Sequence, residues 1–337
     1  MIPHDSIHGE KVMRFQILAC ILCVFILVCV SGCTSNDPSE SSLSVPHVNK
    51  WGIYTLNLST QEITLIYSSD KEISGLHLNT AGDRFVFAMN IHGDDRNDSE
   101  ICTVATNGDS FQQLTDDQYL DTYPTWSPDG TRVAFLRLTD QDLDIYTMNN
   151  DGSNISKLYD SGHHDADIHW IGNSLVFTQQ SSIWIMNENG IMATQLTFPP
   201  HAGEWGEANL PFGDYDPFIS HDGSKVLFER LEGDQSPHGN YNIFVINQDG
   251  TGETRLTSTG YSQGFAHWSH SDESIVFLIA AKGTVGHYRL YTMNADGSNV
   301  TNITPEYAPA SFLCHAGVFS TDDTSIYFVG EWLTLGS

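Results

Sequence analysis

Three histidines, His77, His169 and His267, stand at one step of a segment that recurs along the chain; the intervening copies carry Thr125, Phe218 and Val318 there. Imidazoles gathered from alternate copies would make a three-histidine centre of the catalytic zinc type, and a divalent cation is the one cofactor these residues suggest. The structural alternative is that each ring lies between repeats and satisfies a backbone carbonyl. A second set is acidic: Asp121, Asp165 and Asp214 with Asp216 open the same segment. Gathered carboxylates would hold Ca²⁺ or receive a partner bearing Lys or Arg, unless they form a solvated rim. The third set is a loop, Phe198 to Pro217, in which His201, Glu204, Trp205 and Glu207 fall close together. An aromatic beside carboxylates suits a sugar ring or a basic peptide side chain; a Trp packed onto its own scaffold is the plainer alternative. His163, His164, Asp167 and His315 lie on the same loop side.

No serine-elbow, Walker or dinucleotide motif occurs, and the acidic stretch Asp94 to Asp98 matches a calcium loop in composition only. The 42 acidic residues against 14 basic ones give a net charge of −28, a field that repels phosphate backbones and argues against nucleic acid as partner. Basic protein surfaces, neutral glycans and cations are compatible with it.

The elements that must position these residues are legible in the repeat. Thr125 to Phe135 reads Trp-Ser-Pro-Asp-Gly, then Val-Ala-Phe, and degraded copies run Leu78 to Phe87, Trp170 to Phe177, Ile219 to Phe228, Trp268 to Phe277 and Phe319 to Phe328. Each is an apolar strand end, a polar turn and a strand closing on Phe, the pattern of a tight hairpin. A third strand opens at Ile101, Ile145, Ile183, Ile243 and Leu290; Asn-Gly or Asp-Gly follows it, then a fourth strand at Leu114, Leu158, Leu196, Leu256 and Ile303. Repeats of roughly 40 to 50 residues are the signature of propeller blades, which bury each other's faces.

The ends of the chain set the blade count. After Phe328 no third or fourth strand follows, whereas Trp51 to Leu56 and Glu62 to Tyr67 read as a third and fourth strand with nothing before them. Pairing the two would complete a sixth blade and leave no open edge. The reading is all-β: a six-bladed β-propeller of four antiparallel strands per blade, the last closed by N- and C-terminal strands. Insertions gather on one rim, at Asn90 to Glu100, Phe198 to Pro217, Glu229 to Tyr241 and Ile279 to Tyr288, and binding is expected on that face.

The units Trp-Ser-Pro-Asp-Gly…Phe, Asp144 to Ser153 and Leu-Thr at the close of a blade resemble the repeats of the TolB propeller family over about Trp51 to Trp332. In that family the repeat residues are structural, so the resemblance implies a fold rather than an activity. Among propellers with similar repeats, the oligogalacturonate lyases use channel histidines with a divalent metal. The expected role is therefore a protein- or glycan-binding and assembly module, with a metal-dependent polysaccharide lyase or hydrolase as the enzymatic alternative.

Ahead of the repeat, Lys11 and Arg14 precede the apolar run Ile17 to Val30, which ends Val30-Ser31-Gly32-Cys33. This looks like a prokaryotic lipobox, with Met13 as a compact start and Cys33 as the lipidated residue. The expected organisation is a lipoprotein signal over 1–33, a disordered linker over 34–50 and the propeller over 51–337. It places the body in the cell envelope outside the cytoplasm, reaching the membrane through the lipid alone. Beyond the leader only Cys102 and Cys314 occur, and they read as buried thiols.

Overall fold

The computed structural model describes residues 43–91, 99–139, 142–206, 210–232, 240–280 and 288–333. The leader, Cys33, Glu207 and the acidic stretch Asp94 to Asp98 lie outside the described residues. The described elements are strands, β1 to β24, arranged as six antiparallel four-stranded sheets. Five sheets are consecutive in sequence: Ile73–Gln113, Leu120–Tyr159, Asp165–Gln195, Gly213–Arg255 and Gln263–Asn302, blades one to five. The sixth blade joins the two ends of the chain. β1 (Trp51–Asn57) and β2 (Ile63–Ser69) complete β23 (Phe312–Phe319) and β24 (Ser325–Trp332) in the order β2-β1-β24-β23. The join runs from Trp51 opposite Glu331 to Asn57 opposite Ser325, without a break in register.

Three repeated devices explain why this sequence makes blades. In the hairpin between first and second strands, a serine caps the turn: Ser127 Oγ donates to Asp129 and accepts the Arg132 N–H at 2.8 Å. The Ser220 and Ser320 turns repeat it. The threonines that close the blades, Thr115, Thr197, Thr257 and Thr304, accept the N–H that opens each third strand at 2.8–2.9 Å. That pairing accounts for the recurring Leu-Thr. In the third device, Gly152 (φ +86°) brings its turn so close to the preceding blade that a Cβ would lie 2.5 Å from the Leu114 carbonyl.

The core lies between blades, not within them. Six apolar clusters fill the six interfaces, as in Val86, Ile101 and Leu114 of blade one against Trp126, Val133 and Phe135 of blade two. Both faces of a second strand are therefore covered, and Val133, Ala134, Phe135 and Leu136 are all buried. Burying each Phe of the second-strand column contributes roughly 1.5–3 kcal/mol.

The structure corrects the ends of the rim insertions and of the linker. Glu229, Glu100, Ile279 and Tyr288 belong to strands, so the rim insertions are shorter than the sequence suggests. The linker ends earlier, because Val45 is buried, His47 stacks on Trp332 at 4.2 Å and the Tyr54 hydroxyl donates to the Pro46 carbonyl. Residues 45–50 thus belong to the folded body.

Candidate functional site

The innermost strands are β3 (Ile73–Leu78), β7 (Leu120–Trp126), β11 (Asp165–Ile171), β15 (Gly213–Ile219), β19 (Gln263–Trp268) and β23. Each contains a β-bulge at the same step. The bulged residues Gly75, Tyr123, Asp167, Asp216, Phe265 and Ala316 all have positive φ, between 27° and 61°. Bulges re-aim side chains, and here they turn one residue per blade towards the axis. The axial cavity, of about 160 Å³, is lined by all six of these residues together with His77, His169, His267 and His315.

Along the strands the channel is layered. At the loop-side opening, the acidic set is divided by its partners. Asp121 is held by Arg137 through two hydrogen bonds of 2.6 and 2.7 Å, and Arg137 also reaches Asp117. Asp214 is held likewise by Arg230, which also binds Glu253. Asp165 faces Gln179 across the hairpin, where its sister blades have arginine, and burial pushes its carboxyl up to about 7. The expected ring at these positions is thus two internal salt bridges and one uncompensated acid. Among the described residues, Glu100, Asp117 and Asp121 have carboxylate oxygens within 4.8 Å of one another, with the Arg137 guanidinium already among them.

Asp216 belongs one layer deeper. Its N–H donates to Asp167 at 3.3 Å and the two side chains hydrogen-bond. Glu229, on β16 (Lys225–Leu231), comes from the neighbouring strand and accepts the Phe265 N–H. Gly264 permits this approach, since a Cβ there would meet the Glu229 carboxylate at 2.5 Å. Burial raises all three acids, and repulsion from neighbouring carboxylates adds to it at Asp216 and Glu229; Glu229 is pushed up to about 8 and Asp216 stands well above its ordinary value, while hydrogen bonds from Asp216 partly offset the rise at Asp167. No lysine or arginine faces them in these bonds, so protons do the work of a counter-ion.

The three histidines form the next layer. His77 and His169 approach edge to face at 5.3 Å, while Phe218 stacks on His169 at 3.6 Å and on His267 at 4.2 Å. Phe218 therefore stands between two of the rings. Their nitrogens are not among the sets of ligand atoms within 4.8 Å of one another. The inter-blade role expected of them is kept by His267, which bonds the Gly317 backbone, and has the opposite polarity at the other two: His77 Nδ1 accepts the Trp126 N–H and His169 Nδ1 accepts the Ile219 N–H, each at 3.2 Å. Thr125 does the same for Trp170 with its hydroxyl. Burial pulls His77 down to about 3 and His267 to about 4, and His169 well below its usual range, so the rings are neutral.

On the long loop, Gly203 donates to the Phe212 carbonyl and Phe212 donates to the Glu204 carbonyl, at 2.9 and 2.8 Å. Leu210, Phe212 and Tyr241 pack against the buried Tyr215 and Leu231. The tip is thereby braced, with His201 and Glu204 3.2 Å apart, while Trp205 is 52% and Phe198 76% exposed. Trp205 is thus not packed down onto the scaffold.

Sequence reasoning passed over Glu229, Tyr123, Phe265 and the role of Asp167. Glu229 carried a signal: the other blades place Ala88, Leu136, Thr178, Leu278 and Val329 at its step, so a charge there was out of pattern.

No family model matches the chain. A protein named TolB homolog from Chlorobium luteolum is 29% identical over 225 residues, which cover 65% of this chain and 46% of that protein. The match thus spans about half the length of that curated relative. Among solved structures, one described as putative TolB from Agrobacterium tumefaciens superposes with a TM-score of 0.65 at 18% identity, over 85% of this chain and 99% of its own. TolB from Acinetobacter baumannii gives 0.56 at 14% identity, over 84% and 64%.

Proposed function

We propose that this chain, a TolB-like β-propeller, works outside the cytoplasm as a protein-binding and assembly module whose contact face is the long-loop rim. The observation that carries the reading is the braced loop with Phe198 and Trp205 held out to solvent. Large aromatics presented rigidly on a scaffold make binding hot spots, because they desolvate a partner at little entropic cost. The net charge of −28 favours a partner with a basic surface. Likeness to proteins named TolB supports a binding role and a place in the envelope. Tethering through a lipid on Cys33 is part of the proposal.

Trp205→Ala combined with Phe198→Ser leaves the ring intact, since neither side chain is in the core. Pull-down from solubilised envelope with the native chain should recover a protein that the double variant loses, with affinity reduced by at least about 2 kcal/mol. Equal recovery by both proteins would remove this face from consideration. Cys33→Ser is expected to release the protein from the membrane fraction and abolish incorporation of labelled palmitate.

A further inference from the structure

The polarity of the axial cavity has a chemical meaning of its own. A neutral imidazole carries one proton. At His77 and His169 the Nδ1 lone pair is engaged by a backbone N–H, so the proton sits on Nε2. Both rings line the cavity, and His169 is only 3% exposed. Coordinating a metal through Nε2 would move the proton to Nδ1 and break two hydrogen bonds that join neighbouring blades. These rings are therefore hydrogen-bond donors.

Around them the six bulges set out a slot. With six blades, the second and fifth are opposite each other, so Tyr123 and Phe265 flank the axis from two sides. Asp167 and Asp216, from blades three and four, form one polar wall. Gly75 and Ala316, from blades one and six, stand opposite that wall and leave room. A cavity of about 150 Å³ is enough for a benzene-sized ring, and this one is about 160 Å³.

We infer that the axial cavity binds one uncharged, hydroxyl-bearing six-membered ring, a neutral sugar unit, between Tyr123 and Phe265, with His77 and His169 donating to its oxygens and Asp167 and Asp216 taking its hydroxyls. A hydroxyl both donates and accepts, which matches a wall of shared-proton acids facing imidazole N–H groups. A carboxylate ligand would meet Asp167 and Asp216, and a metal ion would meet two N–H donors. The site lies inside the ring and is independent of the loop-face reading.

Saturation-transfer NMR with glucose, galactose and N-acetylglucosamine tests it, alongside Mn²⁺ titration of the histidine ring signals. Transfer to at least one sugar, weakened about tenfold or more by Ala316→Leu, supports the inference, as do His77 and His169 spectra of the Nε2–H form unmoved by Mn²⁺. Absence of transfer from all three sugars, transfer undiminished in Ala316→Leu, or Mn²⁺ broadening of both rings overturns it. Should Ala316→Leu fail to fold, Phe265→Leu gives the same reading.

Discussion

Glu229 ties stability to pH in the direction opposite to most surface acids. Its carboxyl stands at about 8 in the ring against an ordinary value of 4.5, chiefly because it is buried. Below 4.5 it is neutral folded or unfolded. Between the two values only the unfolded chain ionises, so stability falls as pH rises, at up to about 1.4 kcal/mol per pH unit. Asp165 and Glu100, both raised by burial to about 7, act in the same sense. The three histidines held neutral by burial act in the opposite sense below about 6.5, so urea unfolding at pH 7 and 8 should show declining stability, and Glu229→Gln should flatten the decline; an unchanged slope would contradict it. Arg137 makes the complementary case. Arg137→Met strands the buried Asp121 and is expected to cost about 3–5 kcal/mol, whereas Arg137→Met with Asp121→Asn should recover most of that. Equilibrium unfolding of the two variants separates them.

At the scale of strands and turns, the glycines after each third strand differ in a measurable way. Gly152 and Gly250 both have positive φ, but a Cβ on Gly152 would lie 2.5 Å from the Leu114 carbonyl and one on Gly250 would lie 3.6 Å from that of Leu196. Backbone strain of about 1 kcal/mol is common to both alanine variants. Gly152→Ala therefore loses more melting temperature than Gly250→Ala, through the contact between blades. Such turns, the Phe column and the Leu-Thr closures were legible in the sequence because the same residue types return at the same step of successive blades. The site was legible only in part. His77, His169 and His267 could be aligned, but the direction of their hydrogen bonds depends on backbone amides roughly fifty residues away in the next blade. Asp121 and Asp214 read as an open ring because their arginines enter from a partner strand. Asp167 and Asp216 face the axis only because a bulge reverses the alternation that a regular strand would have given them.

The whole ring depends on the ladder between β1 and β24. Removing residues 43–57 exposes the edge of β24, and the shortened protein is expected to self-associate in sedimentation and to lose its single cooperative melting transition. The same ladder bears on how the molecule comes into being. Trp51 is made long before Glu331, yet they lie opposite each other. β1 must wait, its amides unanswered, while five blades condense behind it, and a contact of such long separation is slow to form. The nascent chain therefore passes through a stage with a complete interior and one open seam, the species most prone to pair with a second copy and most in need of a chaperone.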